Sequence, residues 1–106
     1  MKIAIVDDDK QWRQNALRVT KQYFEEEDIV VKSFASGDAF LAKNEQYEIL
    51  ILDVEMPGID GFQTACEYKV SFPDVIIIVL TTHLELSRKG YEVDAFLIRL
   101  FKTASL

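Results

Sequence analysis

The sequence predicts an α/β fold of three layers: a five-stranded parallel sheet with helices on both faces. Two observations carry this. Short apolar runs alternate with helical stretches along all 106 residues. Two of the runs, Ile49-Leu50-Ile51-Leu52 and Val75-Ile76-Ile77-Ile78-Val79-Leu80, are unbroken and rich in β-branched residues, as strands covered on both faces are. Strands that alternate with helices connect by right-handed βαβ crossovers, which leave the strands parallel.

The elements follow in order. A first strand covers Lys2–Val6. A helix over 10–26 carries Trp12, Ala16, Leu17, Val19, Tyr23 and Phe24 as an apolar stripe, with charge on its other side. A second strand spans 29–35, and Ser36-Gly37-Asp38 opens a short helix holding Ala39, Phe40 and Leu41. The third strand is 48–54. Asp60, followed by Gln63, reads as an N-cap with its capping-box partner, opening a helix to about Ser71. A fourth strand covers 75–80. Thr82 and Glu85 repeat the capping signature before a helix that stops near Gly90. The fifth strand is 94–100, and only Lys102-Thr103-Ala104-Ser105-Leu106 follow, so a fifth helix is expected to be missing and the sequence to be cut from a longer protein.

Composition excludes several classes. The net charge is −6, and the 12 Lys and Arg residues are scattered, so direct nucleic-acid binding by this segment is not expected. The longest aliphatic run is too short for a membrane span, and no signal segment opens the chain, which points to the cytoplasm. The single Cys66 has no internal disulfide partner and is expected to be a small core residue.

Chemistry gathers at the carboxyl ends of the strands, the edge where parallel sheets bind ligands. Asp7, Asp8 and Asp9 follow the first strand, Asp53 ends the third, Thr81 follows the fourth and Lys102 the fifth. Two unit charges about 4 Å apart repel by roughly 4 kcal/mol at an effective dielectric near 20, and a divalent cation reverses that cost. Asp9 reads as the N-cap of the first helix. Asp60 reads as a cap, Met56-Pro57-Gly58 as a tight turn, His83 as a surface loop residue and Trp12 as partial core. Periodicity leaves open whether the first and third strands are neighbours.

The runs "KIAIVDDD", "SFASGDAFL", "YEILILDVEMPGIDG" and "VIIIVLTTH", in this order and spacing, resemble a response-regulator receiver domain of bacterial two-component signalling. "TTHLELSRKGYEVDAF" is most similar to receivers of LytTR-type transcription regulators. The resemblance covers essentially residues 1–106 as one receiver domain. It implies a flavodoxin-like fold with strand order 2-1-3-4-5. It further implies that Asp8 and Asp53 ligate Mg²⁺ or Mn²⁺ directly, with the backbone carbonyl of Glu55, while Asp7 acts through metal-bound water. Asp53 is then the phosphoacceptor, supplied by a histidine kinase or a small phosphodonor, and Thr81 hydrogen-bonds the phosphoryl group. An output domain, DNA-binding in such regulators, is expected outside this sequence, and a homodimer on phosphorylation is compatible with the family. No enzyme activity is implied beyond Mg²⁺-dependent self-phosphorylation and self-dephosphorylation.

The pattern departs from the family at its end, which reads Phe96-Leu97-Ile98-Arg99-Leu100-Phe101-Lys102. Ungapped counting puts Phe101 at the family's lysine position; Lys102 serves if the strand holds one extra residue, as a bulge allows. Arg99 is the weaker stand-in, the family's following proline is absent, and the aromatic switch position falls on Arg99 or Ile98. Two other functions compete. Asp7 and Asp9 fit the Asp-x-Asp of haloacid-dehalogenase-type phosphatases, although Lys10-Gln11 replaces the usual Gly-Thr. A receiver-shaped interaction module without phosphorylation is the third reading.

Overall fold

The computed structural model describes residues 1–24, 28–54, 56, 58–81 and 96–99. Its elements are β1 (Lys2–Val6), α1 (Lys10–Tyr23), β2 (Val30–Phe34), α2 (Gly37–Lys43), β3 (Ile49–Asp53), α3 (Gly61–Ser71), β4 (Ile76–Thr81) and β5 (Phe96–Arg99). All strand pairs are parallel, in the order β2-β1-β3-β4-β5. This bears out the expected sheet. Strand ends lie a residue or two from the expected ones, where the ladder pairing frays. The expected helix after Thr82 lies outside the described residues.

Alternation along the two central strands sorts the core into two layers. Ala4 and Val6 of β1, with Leu50 and Leu52 of β3, pack under α2 and α3 with Phe40, Tyr47, Phe62, Ala65 and Tyr68. Ile3 and Ile5, the alternate residues of β1, join Val31 on the other face, where Ala16 and Leu17 of α1 close over them with Ile49 and Ile51. Burying a side chain of this size contributes about 1.5–3 kcal/mol relative to leaving it in water. Both faces of β1 and β3 therefore need apolar residues, which is why these strands read as near-continuous runs.

Three expectations are corrected. Val19 is 53% exposed and Tyr23 is 82% exposed, so neither belongs to the inward stripe of α1. Each precedes by one residue, and hence by about 100° of helix rotation, Thr20 and Phe24, which lie on the inward side with Ala16 and Leu17. Cys66 is exposed rather than core. Its neighbours on α3, Ala65 and Tyr68, take the inward positions, and Cys66 falls on the outer face.

α2 and α3 approach closely at Gly37, where an added Cβ would lie 2.1 Å from the Thr64 hydroxyl oxygen. Asp60 caps α3 as the sequence indicates, and Ser36 caps α2 where the sequence opens that helix. The Ser36 hydroxyl accepts from the Ala39 N–H at 3.0 Å, and the Asp60 carboxylate accepts from the Gln63 N–H at 2.8 Å.

Candidate metal centre

The register places the acids. Val6 of β1 is aligned with Leu52 of β3, so one step along each strand brings Asp7 beside Asp53. One carboxylate oxygen from each of Asp7, Asp8 and Asp53 lies within 4.8 Å of the others. Asp7 is only 4% exposed and Asp53 7%, whereas Asp8 faces solvent.

Local hydrogen bonds give the three consecutive aspartates different tasks. The Asp7 N–H donates to the Phe34 carbonyl at 3.1 Å and so extends the β1–β2 ladder by one rung. The Asp7 Oδ1 accepts from the Asp9 N–H at 2.9 Å, which tightens the turn into α1. Asp9 caps that helix, its Oδ1 accepting from the Gln11 and Trp12 N–H groups at 3.0 and 3.2 Å. Asp9 accordingly stands apart from the acid cluster. An Asp-x-Asp phosphatase pair would need Asp7 and Asp9 to converge, and here the second acid is a cap.

Asp53 is held from beneath by α3. The Gly61 N–H donates to the Val54 carbonyl at 3.1 Å, and a Cβ at Gly61 would lie 2.2 Å from the Asp53 carbonyl oxygen. Only glycine lets the helix start that close to the strand end. Gly58, at φ +76°, takes a left-handed backbone step between β3 and α3 that favours glycine, while Pro57 of the expected tight turn lies outside the described residues.

The donor set suits a small hard dication. At its usual bond lengths Mg²⁺ holds neighbouring ligand oxygens about 3 Å apart and opposite ones about 4.2 Å, so three oxygens within 4.8 Å of one another can close on one cation, directly or through its bound waters. Burial of two carboxylates side by side is costly without a compensating charge. Exposure of Asp8 leaves a solvent side, as Mg²⁺ requires to keep waters.

Of the other expected site residues, Thr81 ends β4 and is aligned with Arg99 of β5, one step beyond the pairing of Asp53 with Leu80. Glu55, Thr82, His83, Phe101 and Lys102 lie outside the described residues. Arg13 was not legible as a site residue, yet its Nη1 donates to the Asp7 carbonyl at 2.7 Å. A signal existed: α1 begins with Lys10 and Arg13 and has no acid in its first turn, against the usual preference at a helix N-terminus.

Residues 3–101 match the family described as the response regulator receiver domain. The chain belongs to that family. Among curated relatives, the receiver is 33% identical over 100 residues to the sensory transduction protein LytT of Oceanobacillus iheyensis, covering 92% of this chain and 38% of the relative. It is 36% identical over 87 residues to the heme response regulator HssR of Staphylococcus epidermidis, covering 80% and 37%. The chain thus spans about two fifths of the length of the curated relatives it matches. In structure the receiver resembles the BeF3-activated DrrB receiver domain, with TM-score 0.81, 31% identity and coverage of 95% and 83%. It also resembles the response regulator TrrA of Thermotoga maritima in complex with Mg²⁺-BeF, with TM-score 0.74, 27% identity and coverage of 98% and 90%. The similarity to LytT agrees with the LytTR-type likeness of the sequence. Among the described residues, no helix is long and apolar enough to cross a membrane.

Proposed function

We propose that this receiver accepts a phosphoryl group on Asp53 in a Mg²⁺- or Mn²⁺-dependent step and thereby controls an output domain. The convergence of Asp7, Asp8 and Asp53 at one sheet edge carries the reading. Asp8 and Asp53 are the direct carboxylate ligands in this proposal, the Glu55 backbone carbonyl is a third, and Asp7 acts through metal-bound water. When bound, the cation offsets the negative charge of the carboxylates and of the phosphoryl oxygens.

Asp53 supplies the nucleophile. One carboxylate oxygen bonds to phosphorus as the bond from phosphorus to the donor breaks, and the donor leaves with that electron pair, giving an acyl phosphate. The tight seating of the Asp53 main chain against Gly61 supports a restrained direction of attack, and positioning is the main lever available in phosphoryl transfer. Thr81, at the end of β4, is the hydroxyl proposed to donate a hydrogen bond to a phosphoryl oxygen. Lys102 is the proposed ammonium partner of that group. The alignment of Arg99 with Thr81 supports testing Arg99 beside it.

The donor is a histidine kinase or a small phosphodonor, the output domain is DNA-binding, residues 1–106 form the receiver unit, and the site of action is the cytoplasm. Labelling with acetyl phosphate and Mg²⁺, followed by mass spectrometric mapping, tests the central claim. A single modification on Asp53, absent in Asp53→Ala, is the expected result. Phosphate on Asp7 would favour the phosphatase reading, and no labelling at all would favour an interaction module. Loss of labelling rate in Lys102→Ala but not in Arg99→Ala would assign the cation; the reverse would move the role to Arg99.

A further inference from the structure

Every polar group of the Asp7 main chain has a named partner. Its N–H is held by Phe34 of β2, and its carbonyl accepts from the Arg13 guanidinium at 2.7 Å. Its side-chain Oδ1 takes the Asp9 N–H at 2.9 Å, and the Asp9 carbonyl in turn accepts the Arg13 backbone N–H at 2.9 Å. Arg13 therefore closes a ring from α1 to the acidic turn and back. The Asp7 carbonyl and the Asp8 N–H share one rigid peptide plane. Holding that carbonyl restricts rotation on both sides of the plane, and so the directions in which Asp7 and Asp8 project their carboxylates.

We infer that Arg13 is a positioning residue for the acidic cluster, its bond to the Asp7 carbonyl aiming Asp7 and Asp8 at Asp53. This rests on the metal-binding reading above and deepens it. The sign of the effect separates positioning from charge. Arg13 carries a positive charge close to a cation site, so removing that charge alone would tighten Mg²⁺ binding. Removing the bond frees the turn and weakens it.

Arg13→Met keeps the apolar stem and deletes the donors. Calorimetric Mg²⁺ titration of the chain is expected to show about tenfold weaker binding, the scale of one charge-assisted hydrogen bond. Without metal, the Asp9 amide should exchange its hydrogen faster than in wild type, while core amides of β1 and β3 keep their relative protection. Unchanged or tighter Mg²⁺ binding would overturn the inference, as would unchanged exchange at Asp9. If Arg13→Met does not fold, Arg13→Gln, whose amide falls short of the carbonyl, is read by the same criteria. If wild type itself fails to bind Mg²⁺, the metal reading fails instead, and Asp9 exchange alone judges the Arg13 clamp.

Discussion

Asp8 is the most exposed of the three clustered acids, and nothing about its burial distinguishes it from a solubilising surface charge. Its role follows from its neighbours. Asp7 and Asp53 are buried beside it, and in the metal-binding proposal a cation held by Asp53 also draws on Asp8. Asp8→Ala is therefore expected to lower Mg²⁺ affinity at least about tenfold with little change in metal-free melting temperature, as calorimetry and a thermal scan would show. Unchanged affinity would remove Asp8 from the ligand set. Gly61 is the opposite kind of residue, conspicuous only by what it lacks. A methyl group there meets the backbone carbonyl of Asp53 at 2.2 Å, an atom that no side-chain rotation can move, so relief requires moving α3 or the end of β3. Gly61→Ala should cost about 1–3 kcal/mol in denaturant unfolding, as overpacking does, and should slow Asp53 labelling as well. Stability equal to wild type would mean that the helix start yields freely.

At the scale of the element, α1 has no fully buried residue, yet its first turn is tied to the site at several points. The Asp9 carboxylate satisfies two of its leading N–H groups and Arg13 reaches back to the acidic turn. Asp9→Ala should cost about 1 kcal/mol, the usual worth of a cap, while leaving metal stoichiometry intact because Asp9 is not in the cluster. Urea unfolding with and without Mg²⁺ checks both parts; a lost metal site would contradict the division of labour among the three aspartates. The strands behave differently. β1 and β3 are fixed by burial on two faces, so their existence was readable from apolar runs, whereas α1 was readable only in part. Its stripe of Ala16, Leu17 and Phe24 was correct, and Val19 and Tyr23 were not, because helical spacing tolerates apolar residues on the flank.

Across the whole molecule, the sheet has a second cluster of charge at its opposite edge. Glu45 accepts hydrogen bonds from Lys32 at 3.0 Å and Lys2 at 3.2 Å, joining β1, β2 and the loop before β3. Lys32 first, then Lys2, holds the Glu45 carboxyl below its ordinary value of 4.5. A carboxylate whose value is lowered by folding adds stability that is present above its unfolded value and lost as pH falls through the lowered one. Wild type should therefore lose slightly more melting temperature than Glu45→Gln between pH 7 and pH 3, with the difference shrinking at high salt because these side chains are partly exposed. Equal losses in the two proteins would show that the bridges contribute nothing.

The two central strands, the caps at Asp9 and Asp60, the helix start at Ser36-Gly37-Asp38, and the presence of acids at strand ends were all determined by the sequence itself. Each depends on local spacing or on burial of a short run, and such signals act over a few neighbouring residues. Periodicity left open which strand ends are neighbours; the family resemblance implied the order, and the tertiary structure carries it. The pairing of Val6 with Leu52 brings Asp7 to Asp53 across 46 residues of chain, and no periodicity encodes that adjacency. Tertiary structure alone decided that Val19, Tyr23 and Cys66 face outward and that Arg13 reaches the Asp7 carbonyl. The physical reason is common to all four. A local pattern specifies a residue's face on its own element, but the partner that face meets is set by how the elements pack.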